Sequence, residues 1–111
     1  MKTGIMQTYL FPYIGYFQLI HSVDQFVIYD DVQYIKSGWI NRNRILVNQK
    51  DFMFTLSLKK ASSSLNINER YFSKNFGRER DRLLKTLKES YGQMDDYENV
   101  STLLENALGS V

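Results

Sequence analysis

The sequence contains no cysteine, one proline, one histidine and one tryptophan among its 111 residues. Without cysteine it has neither a disulfide framework nor a thiolate metal site. No apolar run approaches the roughly 18–20 residues that a membrane-spanning helix needs. The first residues show no signal-peptide pattern. We therefore expect a soluble protein of the cytoplasm with no membrane span.

Other absences argue against particular kinds of site. His21 lies within a predicted helix, on a face that leads away from the first loop, which disfavours a Ser-His-Asp triad. No glycine-rich phosphate loop is present. Nucleic-acid binding is not indicated, because there is no glycine-spaced aromatic motif, zinc finger or basic tail. The basic stretch at residues 70–88 could contact phosphates, but the solvated face of a helix is the favoured interpretation.

The residues that are present are those of a small globular domain. Hydrophobic residues make up 43% of the chain and charged residues 23%, which is ordinary for a soluble protein. A chain of this length can bury one core but not two. We expect a single domain over residues 1–111. Aromatic residues are frequent at 14%, with eight Tyr and seven Phe, and suit either a core or a wet binding surface.

The first thirty residues predict a strand–loop–helix–strand unit. Residues 5–8 are predicted to form a short buried strand, and Pro12 interrupts the aromatic loop that follows. Apolar residues then recur at helical spacing from Tyr16 to Val23. Residues 25–29 are β-branched and aromatic on both faces, which is typical of a strand buried between two layers. Two strands joined by a right-handed helical crossover are parallel.

The rest of the chain predicts a hairpin followed by two helices. Residues 45–47 and 52–58 form its two arms, the second with clear alternation of apolar and polar residues. Residues 66–70 are predicted to add a short strand. Helices are predicted over residues 73–91 and 97–108. The fold class is therefore α/β, a small mixed sheet with a parallel N-terminal unit, a β-hairpin and two C-terminal helices. The last helix has an apolar face that needs cover from the chain's own sheet, a second subunit in a homo-oligomer, or a missing C-terminal half.

Polar residues follow both N-terminal strands. Gln7 and Tyr9 come after the first strand, and Asp30 and Asp31 come after the second. Ligands bind at the carboxyl ends of strands in open α/β sheets, so we expect these side chains to face one another across a cleft. The two carboxylates could accept a proton or hold a divalent cation. The alternative is that Asp30 caps a turn while Asp31 is merely solvated.

Two arginines supply a candidate anion site. Arg42 and Arg44 flank Asn43, and side chains two apart on an extended chain point the same way, a suitable geometry for phosphate or carboxylate. An exposed pair on a strand edge explains them equally well. Trp39 could stack on a sugar or a base, although a role in the core or in a lid is favoured.

Three ordered motifs resemble the N-terminal signature of the WbqC-like family. They are QTYLFPYIGYFQLI at residues 7–20, FVIYDDVQY at 26–34 and NRNRI at 41–45. Thr8 departs from the pattern, because the family usually has a proline there. The resemblance implies that the chain is a fragment or a shortened member, incomplete at its C-terminal side, because family members are longer and carry further polar and aromatic motifs.

The resemblance also implies a function. Family members are similar to proteins encoded with bacterial surface-polysaccharide (O-antigen) synthesis, which suggests an amino-acyl or acyl transferase acting on an activated sugar or related anionic metabolite. Whether the chain is itself an enzyme is left open, and no cofactor is assigned beyond the divalent cation considered above. Two alternatives stay open: a nucleotidylyltransferase-like domain, although the His-x-Gly-His of such enzymes is absent, and a non-catalytic binding or assembly module. Carried over by position, the predicted site comprises Asp30 and Asp31 as catalytic residues and Gln7, Gln33, Arg42, Asn43 and Arg44 as substrate-binding residues, to which the strand-end argument adds Tyr9.

Overall fold

The computed structural model describes residues 1–36 and 38–110. Its elements follow in the order β1 (Thr3–Met6), α1 (Ile14–Ser22), β2 (Gln25–Ile28), β3 (Arg42–Val47), β4 (Lys50–Thr55), α2 (Phe76–Tyr91) and α3 (Tyr97–Gly109), with one 3-10 turn at Ile67–Glu69. The predicted α/β class is confirmed, with its parallel unit, its hairpin and its two C-terminal helices. The strands that are described divide into two separate two-stranded sheets rather than one mixed sheet.

The N-terminal unit is a parallel strand pair with a helix on one face. β1 and β2 pair in register from Thr3 opposite Gln25 to Met6 opposite Ile28, as the crossover argument predicted. Tyr16 of α1 is buried, and its ring centroid lies 5.6 Å from that of Phe26 in β2. Gly4 of β1 lets the strand pack closely against the end of α1, because a Cβ added at this position would lie only 3.3 Å from the Val23 side chain.

The opposite face of this pair is open, and the prediction that both strands are buried is wrong. Ile5 is 59% exposed, and Val27 and Tyr29 are each 45% exposed. These residues alternate with those that face α1, as the pleat of a strand requires. The apolar composition of β1 and β2 suits cover on both faces, but in the described part of the chain only the α1 face is covered. We call Ile5, Val27 and Tyr29 the open face.

The hairpin has a tighter turn than the sequence indicated. β3 and β4 are antiparallel, with Val47 opposite Lys50, so only Asn48 and Gln49 connect them. Both have positive φ, 52° and 64°, which is the requirement of the two-residue turn that matches the twist of a hairpin. The predicted alternation is confirmed, because Phe54 and Leu56 are buried while Thr55 is exposed.

The main core lies between the hairpin and the C-terminal helices. Its buried residues are Phe54, Leu56, Phe76, Leu83 and Leu108. α2 begins at Phe76 rather than at residue 73, because the Ser73 amide donates to Ser57 O and so ties the preceding segment to the end of the hairpin. α3 is only partly covered. Leu108 is buried, whereas Val100 is 50% and Leu103 is 67% exposed.

The predicted strand over residues 66–70 is wrong. Ile67–Glu69 forms a 3-10 turn, because Asn66 and Glu69 cap one another's backbone in a capping box. Only an isolated bridge pairs Gln33 with Asn66. The radius of gyration is 15.4 Å, above the roughly 13 Å expected for a compact domain of this length. The excess fits a chain whose N-terminal unit stands partly apart from the main core. No helix in the described ranges is long and apolar enough to cross a membrane.

Candidate functional site

The carboxyl ends of β1 and β2 lie side by side. The Tyr29 amide donates to Met6 O at 2.7 Å, which continues the pairing one step beyond the two strands. Gln7 and Asp30 therefore leave the strand pair at the same edge. This is the edge at which the sequence predicted a site.

The loop after β1 is held by the α1 helix. The Tyr16 hydroxyl donates to Gln7 O at 2.7 Å, and the Tyr9 hydroxyl donates to Gln7 Oε1 at 3.3 Å. The Tyr9 and Tyr16 rings meet edge to face with centroids 6.0 Å apart. Burial raises the pKa of Tyr16, and the neighbouring Tyr9 raises it further. Gln7 and Tyr9 are thus brought together, with Tyr16 as the residue that positions them.

Asn43 joins this loop to the hairpin. Its Nδ2 donates to both Leu10 O and Phe11 O at 2.8 Å. The Leu10 amide donates to Trp39 O at 3.1 Å. Phe11 has a φ of 50°, a left-handed conformation uncommon for a bulky residue, and its ring packs 5.6 Å from that of Phe54. Asn43 was predicted to bind substrate, and in the structure its Nδ2 group donates to the loop after β1. We call this junction of Asn43 with Leu10 and Phe11 the seam.

A cleft of about 430 Å³ opens beside the seam. It is lined by Met6, Tyr9, Pro12, Tyr13, Trp39 and Asn43, and we call it the aromatic cleft. Tyr9 and Asn43 were among the predicted site residues. Met6, Pro12 and Tyr13 were not. The spacing of Tyr9 and Tyr13 about the one proline was the sequence signal for them, but it is equally typical of a packed loop.

Trp39 stands between two cations. The guanidinium carbons of Arg42 and Arg44 each lie 5.5 Å from the Trp39 ring centroid, within the range of cation–π attraction. Arg42 Nε also donates to Gly38 O at 2.9 Å. Arg44 lies 4.0 Å from Asp51 in an exposed ion pair. The two predicted arginines therefore meet at Trp39, which forms a wall of the aromatic cleft.

The remaining predicted residues are less closely gathered. Asp30 is half-buried, and its carbonyl accepts from the Asn68 amide at 2.9 Å. Asp31 is exposed. Gln33 Nε2 donates to Ser63 O at 2.9 Å, so Gln33 serves the loop at residues 61–66. Of the predicted site residues, Tyr9 and Asn43 line the aromatic cleft, and the others do not: Gln7, Asp30, Asp31, Gln33, Arg42 and Arg44. Within residues 1–36 and 38–110 no three acidic or histidine side chains are grouped to hold a metal ion.

A comparison with protein-family models settles the family. The model of the WbqC-like protein family matches residues 7–110. The chain belongs to the WbqC-like protein family. The match covers all three motifs, and with them every residue of the predicted site.

One curated relative of this WbqC-like chain is the uncharacterized protein Rv1507c of Mycobacterium tuberculosis. The two sequences are 54% identical over 48 residues, which are 43% of this chain and 21% of the relative. The aligned segment thus spans about a fifth of the relative's length. No solved structure matches the chain.

The candidate site combines the apolar walls of the aromatic cleft with charged groups that lie outside its lining. Aromatic side chains offer flat surfaces, and the two guanidiniums at Trp39 offer positive charge. Small-molecule sites are typically mostly apolar with a few convergent polar groups. Neither carboxylate of Asp30 or Asp31 has a hydrogen bond or ion pair with the described residues.

Proposed function

We propose that the chain forms the substrate-binding part of a transferase of the acyl or amino-acyl type, acting on an activated sugar or related anionic metabolite in bacterial surface-polysaccharide (O-antigen) synthesis. The observation that carries the proposal is the aromatic cleft together with the two guanidiniums beside it, because Trp39 forms a wall of the cleft and Arg42 and Arg44 lie within 5.5 Å of its ring centroid. Membership of the WbqC-like family supports it.

Each part of the cleft has a role in such a reaction. The rings of Tyr9, Tyr13 and Trp39 pack against the apolar face of a sugar. Arg44 binds the anionic group, because a planar guanidinium matches phosphate and carboxylate oxygens. Gln7, oriented by Tyr9, binds a substrate hydroxyl. The volume of the cleft, about 430 Å³, lies within the range of small-molecule sites.

The neighbouring carboxylates supply the base. In the transfer, the acceptor's amine or hydroxyl attacks the acyl carbon, and the bond from that carbon to its leaving group breaks. The proton that the acceptor loses passes to Asp30 or Asp31, which follow the adjacent strand. Because Asp30 leaves the strand pair at the same edge as Gln7, we assign the acceptor to this edge.

The test is the thermal stability of the chain in the presence of nucleotide sugars, with and without Mg²⁺. A ligand that binds only the folded state stabilises it by an amount that grows with ligand concentration, about 2.7 kcal/mol at one hundred times Kd. We expect the increase in Tm to shrink in Trp39→Ala and Arg44→Ala. Arg82→Ala, on the exposed side of α2, is the matched control and keeps the full increase. No increase with any nucleotide sugar, or equal increases in all four proteins, contradicts the proposal.

One observation favours an assembly role as the second candidate. The open face, Ile5, Val27 and Tyr29, presents apolar side chains on a parallel strand pair. Parallel strands occur almost always in sheets covered on both faces, so this face suits another protein surface. Analytical ultracentrifugation over a range of concentrations tests the simplest case, a second copy of the chain. Self-association that Val27→Lys abolishes supports this role, and a monomer at all concentrations contradicts that case.

A further inference from the structure

A second cleft in the molecule carries a concentration of positive charge. It has a volume of about 490 Å³ and is lined by five cationic side chains, Lys36, Arg42, Lys59, Lys60 and Arg70, and by no carboxylate. We call it the basic cleft. The five residues come from three separate stretches of the chain, so the fold rather than a run of basic sequence brings them together.

The Arg70 guanidinium of the basic cleft is positioned by neutral groups. Arg70 Nη2 donates to Ser62 O at 2.9 Å, and its guanidinium carbon lies 4.8 Å from the Tyr34 ring centroid. Arg70 Nε is buried without an acceptor among the described residues. Carbonyl oxygens and an aromatic ring hold a cation in place without neutralising it. The positive charge of Arg70 is therefore retained at the wall of the cleft.

One carboxylate that contacts a wall residue of the cleft is already engaged. Glu79 accepts from both the amide and the hydroxyl of Ser57, a residue that lines the cleft. Across residues 1–36 and 38–110 no carboxylate lies within 4.0 Å of the cationic groups of Lys36, Lys59, Lys60 or Arg70. Like charges gathered in a concave surface repel one another, and they raise the local concentration of anions.

The dimensions favour a small ligand. The volume of about 490 Å³ falls within the range of small-molecule sites and is too confined for a stretch of duplex nucleic acid. Thr55, with no recorded hydrogen bond to its hydroxyl, adds a neutral donor to the wall. We propose that the basic cleft binds the phosphate or diphosphate group of a small organic phosphate. The proposal goes beyond the sugar site, because four of the five cations, Lys36, Lys59, Lys60 and Arg70, have no part in that site.

The experiment titrates the 111-residue chain with sodium pyrophosphate and with orthophosphate at constant ionic strength, by calorimetry and by phosphorus NMR. The test variant is Lys59→Ala/Lys60→Ala, and the control is Lys85→Ala/Lys88→Ala on the exposed side of α2, which removes the same charge. Hydrogen bonds to charged groups contribute about 1.5–3 kcal/mol each, so we expect the test variant to bind pyrophosphate at least about tenfold more weakly. The control binds like the wild type.

Two further variants and a second class of ligand distinguish the possible outcomes. Lys36→Ala, at an exposed turn position, weakens pyrophosphate binding even if the double variant does not fold, which circular dichroism monitors. Tyr13→Ala, which alters the aromatic cleft but no residue of the basic cleft, leaves pyrophosphate binding unchanged, so failure of the sugar site and failure of the basic cleft are distinguished. Equal affinity in wild type, Lys36→Ala and Lys59→Ala/Lys60→Ala overturns the proposal, as does the lack of binding by the wild type at millimolar pyrophosphate. Affinity for single-stranded oligonucleotides that exceeds that for pyrophosphate and grows with length assigns the cleft to nucleic acid instead.

Discussion

Replacing Asn43 by alanine tests whether this side chain holds the aromatic cleft together. The substitution removes two hydrogen bonds of 2.8 Å, from Nδ2 to Leu10 O and to Phe11 O. A neutral hydrogen bond contributes about 0.5–1.5 kcal/mol net, so their loss lowers the free energy of unfolding by about 1–3 kcal/mol. The third bond, from the Arg44 amide to Oδ1, is exposed and local, and water replaces it. Because each kcal/mol corresponds to about 4–8 °C for a domain near this size, Tm falls by roughly 10 °C.

The assay is urea unfolding followed by circular dichroism, with two further variants. Asn43→Asp keeps the shape of the side chain but places carboxylate oxygens against two carbonyl oxygens, so it is less stable than Asn43→Ala. Asn99→Ala, at an exposed position of α3 with no recorded side-chain hydrogen bond, is the control and stays within about 0.5 kcal/mol of the wild type. A role in substrate binding alone predicts no change in stability. If Asn43→Ala matches Asn99→Ala, the reasoning about the seam is refuted.

Two further predictions concern the core and the loop. Leu56, only 1% exposed, is the most buried side chain of the main core. Leu56→Ala lowers the free energy of unfolding by about 2–5 kcal/mol in a urea titration. Leu103→Ala, on the exposed side of α3, is the control and changes it by less than about 0.5 kcal/mol. Burial raises the pKa of the Tyr16 hydroxyl above its usual value near 10. Above pH 10 the unfolded chain therefore releases the hydroxyl proton more readily than the folded chain does. The free energy of unfolding falls as the pH rises from there through the folded pKa. Tyr16→Phe removes this part of the decline, and identical slopes of stability against pH in the two proteins contradict the assignment.

Local patterns predicted most of the secondary structure. The i, i+3, i+4 spacing from Tyr16 identified α1, and the alternation around Phe54 identified β4. Where the prediction failed, a short-range interaction outside these patterns decided the outcome. Asn66 and Glu69 cap one another and turn a predicted strand into a 3-10 turn. Asn48 and Gln49 both adopt a positive φ, which allows a hairpin connection of only two residues.

Burial and the site were harder to predict, because both depend on contacts between distant segments. An apolar strand indicates that both of its faces favour burial, but not that the chain has another element to pack on each face. Val27 accordingly stays exposed. The strand-end rule correctly placed Gln7 and Asp30 at one edge of the sheet. It gave no sign that Asn43 would donate to Leu10 and Phe11, more than thirty residues away. The meeting of Lys36, Lys59 and Arg70 in the basic cleft likewise follows from the path of the loops and not from any motif.

The seam at Asn43 has a consequence for how the protein opens. One wall of the aromatic cleft belongs to the N-terminal unit and the other to the segment around β3, and these segments differ in burial. Proteins open locally in cooperative units whose stability follows their burial. Amide protons of β1 and β2, on a strand pair with one open face, should exchange with solvent faster than those of β3 and β4. A ligand that touches both walls would join the two units, so protection of the Leu10 amide, which donates across the seam to Trp39 O, would report occupancy of the cleft directly.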